Sequence, residues 1–278
     1  MKTLLNYTKK YGKIYLLNLK KGRCFVNYGI FLVDRRHVCK KQNAENLWLQ
    51  AFRCHAHFWL VVLVLTLVIC SYFYRKCGEV GRKRFRFTVA GLIFADEIAK
   101  WIMLFATGQW SVNYFPLHLC TINIFIIAIH LFKPFKSLDN FLYMICIPAA
   151  LAALLFPTWT RQPILNFMHI HSSTIHILLM LYPVMLTVGG DIKPRARHIW
   201  KSLILLLCLA IPAAIVNTLC ETNYMFLAEA TFPLTIFEDL LGNYLWGFPI
   251  LLAAVLIVMY VPMEIYRYVI KKEKVEKI

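Results

Sequence analysis

CHAHFWLVVLVLTLVICSYFY, Cys54–Tyr74, is a run of 21 residues with no Asp, Glu, Lys or Arg. A helix of about 20 residues crosses the hydrocarbon core of a bilayer. It also satisfies its own backbone hydrogen bonds there, which irregular chain exposed to lipid cannot do. The run predicts a spanning helix over 57–74, closed by Arg75 and Lys76. Working outward, apolar segments recur and predict helices over 87–107, 114–132, 139–157, 166–188, 199–219 and 245–266. Thr107–Gly108–Gln109 and Pro116 mark the turn between the second and third. The fold class is therefore all-α, a polytopic membrane protein with seven transmembrane helices.

Composition agrees. The chain of 278 residues is 60% hydrophobic and 16% charged, with mean hydropathy +0.60. A soluble domain is about half apolar and about a quarter charged. A disordered chain, a disulfide-stapled secreted module and an ordinary soluble enzyme are excluded. The nine Cys contain no Cys-x-x-Cys pair, and Cys70, Cys120, Cys146 and Cys208 lie inside apolar runs. They read as small buried hydrophobes, with no metal site and no cofactor expected. The formal charge of +17 is read as basic helix flanks facing anionic lipid headgroups, not nucleic acid.

Residues 1–54 form a basic extension, read as interfacial or as foreign to the native protein. They hold 12 of the 31 Lys and Arg and no cleavable signal pattern. Tyr15–Leu19 and Tyr28–Val33 read as short amphipathic pieces on a lipid surface. Residues 55–270 are the seven-helix domain, and 271–278 a basic cytoplasmic tail. Seventeen Lys and Arg fall in the first, third and fifth links and the tail, whereas the links on the other side hold only Arg161. Positive charge marks the cytoplasmic side, so the N-terminus is read as outside and the C-terminus as cytoplasmic, in a multi-pass protein of the cell membrane.

With that orientation, polar residues of four helices converge in the outer half of the bilayer. Asp96, Glu97 and Lys100 come from the second helix, His118 and Cys120 from the third. His169, His171, Ser172, Ser173 and Thr174 come from the fifth, and Asn217 from the sixth, with Glu221, Asn223 and Tyr224 just beyond it. Ionisable residues inside a membrane are costly and mark function by default. Plainer readings also apply. Glu97 and Lys100 are spaced to pair on one helix face, and Cys120 by itself is core filler. His130 and His198 are read as structural or interfacial residues at the opposite end.

The run Pro116–Leu117–His118–Leu119–Cys120 resembles the hallmark of the YwaF-like family of membrane proteins, which includes the animal transmembrane protein 164. Glu97, the stretch Phe167-Met-His-Ile-His-Ser172, Asn217, Thr222-Asn-Tyr-Met-Phe-Leu227 and Trp246 follow in the family's order. The resemblance covers about residues 55–266. It implies a seven-helix membrane fold and, by analogy with the animal member, acyl transfer between phospholipids through a Cys nucleophile and a His. Those roles fall on Cys120 and His171, with His169 as a rival where the family has a single His. Membrane phospholipid is then both donor and acceptor.

The chemistry needs an imidazole to take the thiol proton, because burial disfavours a thiolate. The thiolate attacks a lipid ester and an alcohol or water resolves the thioester. His118, Asn217, Asn223 and Tyr224 are candidate oxyanion donors, each worth about 2.7–4 kcal/mol when aimed at the developing charge. Glu97 is a candidate to orient the imidazole. Two other classes use the same cluster: a transporter or proton-coupled permease, and a non-catalytic protein in which polar residues glue helices together.

Overall fold

The computed structural model describes residues 16–19, 23–28, 31–34, 44–156, 166–230 and 234–276. Side chains are described over 57–156, 166–230 and 234–265 and at Tyr268. Tyr15, Arg161, the Pro157–Thr158 helix end and the His55 side chain lie outside them.

The basic extension contains strands where the sequence suggested amphipathic pieces on lipid. β1 (Leu16–Leu19), β2 (Arg23–Tyr28) and β3 (Phe31–Asp34) pair antiparallel in that order. The register pairs Leu19 with Arg23 and Tyr28 with Phe31.

Among the described residues from Ala44 onward every regular element is helical. In order these are α1 (Ala44–Lys76), α2 (Glu79–Ala106), α3 (Leu119–Phe132), α4 (Lys136–Leu155), α5 (Phe167–Gly189), α6 (Ile199–Cys220), the short α7 (Thr235–Leu241) and α8 (Gly247–Glu276). Short 3-10 turns precede several of them. Six segments, within α1, α4, α5, α6 and α8 and over Val112–Phe132, are long and apolar enough to cross a membrane. α2 is longer than most of them but carries Asp96, Glu97 and Lys100. The predicted third helix starts late: α3 begins at Leu119, with His118 as its extended N-cap residue at φ −70°, ψ 144°. Pro116 lies in the turn before it and kinks no helix.

α5 is the central helix. It packs against α1, α2, α3 and α4, and its Leu179, Tyr182, Met185 and Leu186 are fully buried with Ile93, Ile127, Phe141, Leu142 and Met144 of its neighbours. Lipid tails are as apolar as these side chains, so close packing holds such helices together more than escape from water does. The outward faces stay apolar and bare, as with Val61, Val64 and Val68 on α1, Ile204, Leu207 and Ile211 on α6, and Val258 and Val261 on α8. A surface of that kind belongs in hydrocarbon.

Two prolines shape the core. Pro148 has no N–H to give Met144, four residues earlier. The helix widens into a π turn over Leu142–Cys146 just before it, a usual place for such an irregularity. Pro183 likewise frees the Leu179 carbonyl, and the Cys146 thiol of α4 donates to that oxygen at 3.3 Å. Intramembrane proline is tolerated when a neighbour re-satisfies the freed group. Cys146 therefore has a polar task as well as a packing one.

The His130 end of the bundle is closed by polar contacts among helices. His130 is bonded at Nδ1 by Tyr182 Oη at 3.1 Å and at Nε2 by Asp139 at 3.0 Å. The Asn140 side-chain carbonyl accepts from the Arg195 N–H at 2.9 Å and from Tyr260 Oη at 3.0 Å. Tyr74 donates to Asp191. Arg82 donates to the same carboxylate at 2.9 Å and to the Gly189 carbonyl at 2.8 Å. A Cβ at Gly189 would lie 2.6 Å from the Tyr74 ring, so only glycine admits this close approach.

Candidate functional site

The opposite end holds the predicted cluster. On α2 the buried residues Ile93, Glu97, Lys100 and Leu104 recur at helical spacing, which turns the acid and the amine inward on one face. Lys100 Nζ donates to Glu97 Oε1, and Trp101 Nε1 donates to the same oxygen at 3.0 Å. The expected i,i+3 pair is formed, and it is buried.

Asp96, the preceding residue, faces α5. Its Oδ1 lies 3.1 Å from His171 Nδ1 and its Oδ2 accepts from Thr174 Oγ1 at 2.8 Å. His171 and Thr174 are three residues apart and so share a helix face. Glu97 Oε2 lies 3.9 Å from His171 Nε2, beyond hydrogen-bond distance. Glu97 is the sequence's candidate to orient the imidazole; the hydrogen bond to His171 is made by its neighbour Asp96.

Cys120 stands in the first turn of α3, where a helix N-terminus favours negative charge. Its thiol is within electrostatic range of both Lys100 and Glu97. Among the described residues no hydrogen bond joins Cys120 to His171. Both residues are related to the Glu97–Lys100 pair: the thiol lies within electrostatic range of it, and His171 Nε2 stands 3.9 Å from Glu97 Oε2.

The loop after α6 is tied down by its own side chains. Asn217 Oδ1 accepts from the Tyr224 N–H at 2.7 Å and from Thr222 Oγ1 at 3.0 Å, and Asn217 Nδ2 donates to the Tyr224 carbonyl at 3.0 Å. Asn223 Oδ1 accepts from the N–H groups of Ala228 and Glu229 at 3.0 and 3.1 Å. Glu221, Met225 and Phe226 have φ of 51°, 55° and 58°. Left-handed backbone at non-glycine residues costs about 1–3 kcal/mol each and persists where the surroundings impose it. Tyr224 is fully buried and donates to the Val112 carbonyl, tying this loop to the α2–α3 link. Burial, with a smaller contribution from Cys220, pushes the Tyr224 phenol above its ordinary range, which keeps it a donor at neutral pH. Its ring meets the His118 imidazole edge-on, centroids 5.0 Å apart. Asn217, Asn223 and Tyr224 thus hold the loop in shape, and His118 lies under it.

The remaining histidines separate clearly. His169 is buried one turn-face away on α5, and His176 Nδ1 donates to the Ser172 carbonyl on its own helix. Sequence reasoning put Asp96 and Thr174 in the polar belt without a role, and it passed over Trp101. The i,i+3 spacing of His171 and Thr174 was the available signal that one neighbouring group serves both. Among the described residues, no group of three or more His, Cys, Asp or Glu is disposed to hold a metal ion.

No curated protein and no solved structure matches this chain. The model of the TMEM164 family matches it over residues 51–262, from the α1 segment that enters the bundle to α8. That stretch contains every helix that builds the cluster, and the chain belongs to the TMEM164 family.

Proposed function

We propose that this chain is a lipid acyltransferase or esterase of the membrane, with Cys120 as nucleophile and His171 as acid–base. The observation that carries the reading is one buried ion pair, Glu97–Lys100, that stands 3.9 Å from His171 Nε2 on α5 and within electrostatic range of the Cys120 thiol on α3. Buried intramembrane charge is costly and calls for a use. A cation in range of the thiol offers company to a thiolate, and an imidazole beside the same pair offers a place for its proton.

In the reaction, the Cys120 proton passes to His171 Nε2 as sulfur attacks the ester carbonyl of a phospholipid. The S–C bond forms, the ester C–O bond breaks, and His171 returns the proton to the departing lysolipid alkoxide. An acceptor hydroxyl, or water, then gives its proton to His171 and attacks the thioester. The S–C bond breaks and the proton returns to sulfur. Asn217, Asn223 and Tyr224 support this by holding the 221–227 loop over His118, the nearest candidate to meet the oxyanion.

The membrane arrangement belongs to the same reading. α2 is taken as a seventh span, the Cys120 end as facing outward and the basic links as lying against anionic headgroups on the cytoplasmic side. The membrane is taken to be the cell membrane. Ester carbonyls lie at the headgroup boundary, within reach of a site in the outer half.

The test is intact mass of the purified protein after incubation with phospholipid, wild type beside Cys120→Ala. An acyl adduct on wild type, released by neutral hydroxylamine and missing from the variant, is the expected result. Absence of any adduct on wild type, including in samples acid-quenched within the first turnover, overturns the covalent mechanism. One observation favours a second reading, a proton-coupled permease: Asp96, Glu97, Lys100 and His171 put two carboxylates, an ammonium and an imidazole in contact at one depth. Proton uptake by proteoliposomes in the Cys120→Ala variant would separate it.

A further inference from the structure

Glu97 is committed. Its Oε1 takes both Lys100 and Trp101, and its Oε2 stands 3.9 Å from His171 Nε2. Asp96 is committed differently, because both of its oxygens are held by α5, one by His171 Nδ1 and the other by Thr174 Oγ1. An ionised carboxylate only accepts. With Asp96 as a carboxylate and His171 neutral, Nδ1 carries the hydrogen and Nε2 is left as the basic atom. Nε2 is also the ring atom on the side of Glu97.

We infer that Asp96 is the positioning residue for His171, fixing its tautomer and ring plane, and that Thr174 fixes Asp96. This rests on the proposed acid–base role of His171 and adds to it the carboxylate through which the imidazole is prepared. The arrangement is the third-group logic of nucleophile–base sites, in which the orienting acid acts through the base and touches no reacting atom. Thr174 can also donate to the Ile170 or His171 carbonyl. Its bond to Asp96 is the only one of the three that crosses between helices.

The charged and titratable groups around His171 are few. α2 presents Asp96, Glu97 and, through Glu97, Lys100; α3 presents Cys120 and His118. α5 itself carries His169 and His176, and the Ile147–Leu155 stretch packed on α5 has no titratable side chain. On α1, His57 is the first titratable residue among the described side chains. A pH profile of Cys120 reactivity that depends on His171 therefore has Asp96 and Glu97 as its main modifiers, and the two are separable by substitution.

The experiment uses the full chain in phospholipid nanodiscs. Asp96→Asn, Thr174→Val and His171→Ala are compared with wild type in three readouts: kcat and KM for acyl-adduct formation from phospholipid, the pH profile of Cys120 alkylation by N-ethylmaleimide, and thermal unfolding. Asp96→Asn is expected to lower kcat by at least about 100-fold with KM nearly unchanged, as expected when the base is held in the wrong tautomer. It should also move the His171-dependent inflection in alkylation. Thr174→Val should do the same more weakly. Wild-type kcat and pH profile in Asp96→Asn overturn the inference while leaving the Cys120 reading intact. No adduct on wild type overturns that reading instead, and the alkylation profile then decides the Asp96 role by itself: an inflection lost in His171→Ala and moved in Asp96→Asn supports it, and an unmoved one overturns it. If Asp96→Asn fails to fold, Thr174→Val decides: the same shift supports the role of Asp96, and wild-type values in both readouts overturn it.

Discussion

His130 and His171 stand at opposite ends of the bundle, each about 3 Å from a carboxylate, Asp139 at 3.0 Å and Asp96 at 3.1 Å. Their second nitrogens differ. His130 gives its other nitrogen to Tyr182 at 3.1 Å, so both ring atoms are spent on holding helices together. Among the described residues His171 has at Nε2 only a carboxylate at 3.9 Å, and Cys120, the proposed nucleophile, is within electrostatic range of the same ion pair. A ring with both nitrogens bonded is a strut; a ring oriented on one side and open on the other has a site for a proton to come and go. Burial does not distinguish them, since both are nearly inaccessible.

The largest expected effect tests whether the open end carries charge for function. Lys100→Met leaves the buried Glu97 carboxylate with Trp101 as its remaining donor, and breaking a buried pair in this way costs about 3–5 kcal/mol. Adding Glu97→Leu removes the orphaned charge, and replacing both members of a buried pair is often neutral. The double variant should regain most of the lost thermal stability in detergent and still form no acyl adduct. A double variant that is stable and active would make this pair a strut too, and the contrast between the two ends would be gone.

A middle-sized effect is expected at the closed end. His130→Ala leaves Tyr182 and Asp139 without their shared partner, at a cost of about 2 kcal/mol. The melting temperature should fall, while acyl-adduct formation by the folded fraction stays at the wild-type level. Loss of adduct at a temperature where the variant is folded would show that the two ends are coupled through α5, on which both Tyr182 and His171 sit.

The helices were legible in the sequence because charge segregation along the chain is a one-dimensional property. Arg75, Lys133 and Lys193 end apolar runs wherever the fold puts them. The membership of the candidate cluster was legible for the same reason, since depth follows from position along a helix. The choice between Asp96 and Glu97 was not. Consecutive residues on a helix point about 100° apart, and which of them meets His171 depends on how α5 is rotated against α2. The loop roles of Asn217, Asn223 and Tyr224 were hidden similarly: of three residues that look like donors for a substrate, the two Asn side chains bond the backbone of their own strained turn and the Tyr224 hydroxyl donates to the Val112 carbonyl of the α2–α3 link. The late start of α3 follows from Pro116, which sets the chain in a turn until His118 can cap the helix.

The smallest effect sharpens the comparison most, because it concerns two residues of the same type. Cys146 and Cys120 are near enough to influence each other electrostatically, and both lie in apolar runs that suggest filler. Cys146 is fully buried and donates to the carbonyl that Pro183 leaves free; Cys120 is partly exposed and stands beside Lys100. Cys146→Ala removes one neutral interhelical hydrogen bond and a sulfur-sized volume, an expected loss of about 1 kcal/mol with adduct formation unchanged. Cys120→Ala is expected to do the reverse, abolishing the adduct and leaving the melting temperature within a degree or so of wild type, since the thiol bridges no two helices. N-ethylmaleimide should label Cys120 and spare Cys146 in the folded protein, and mass spectrometry of the digested chain reads both sites at once. Labelling of Cys146 before Cys120 would mean that the Leu179 carbonyl, and not the Glu97–Lys100 pair, marks the accessible thiol, and the assignment of strut and nucleophile would have to be exchanged.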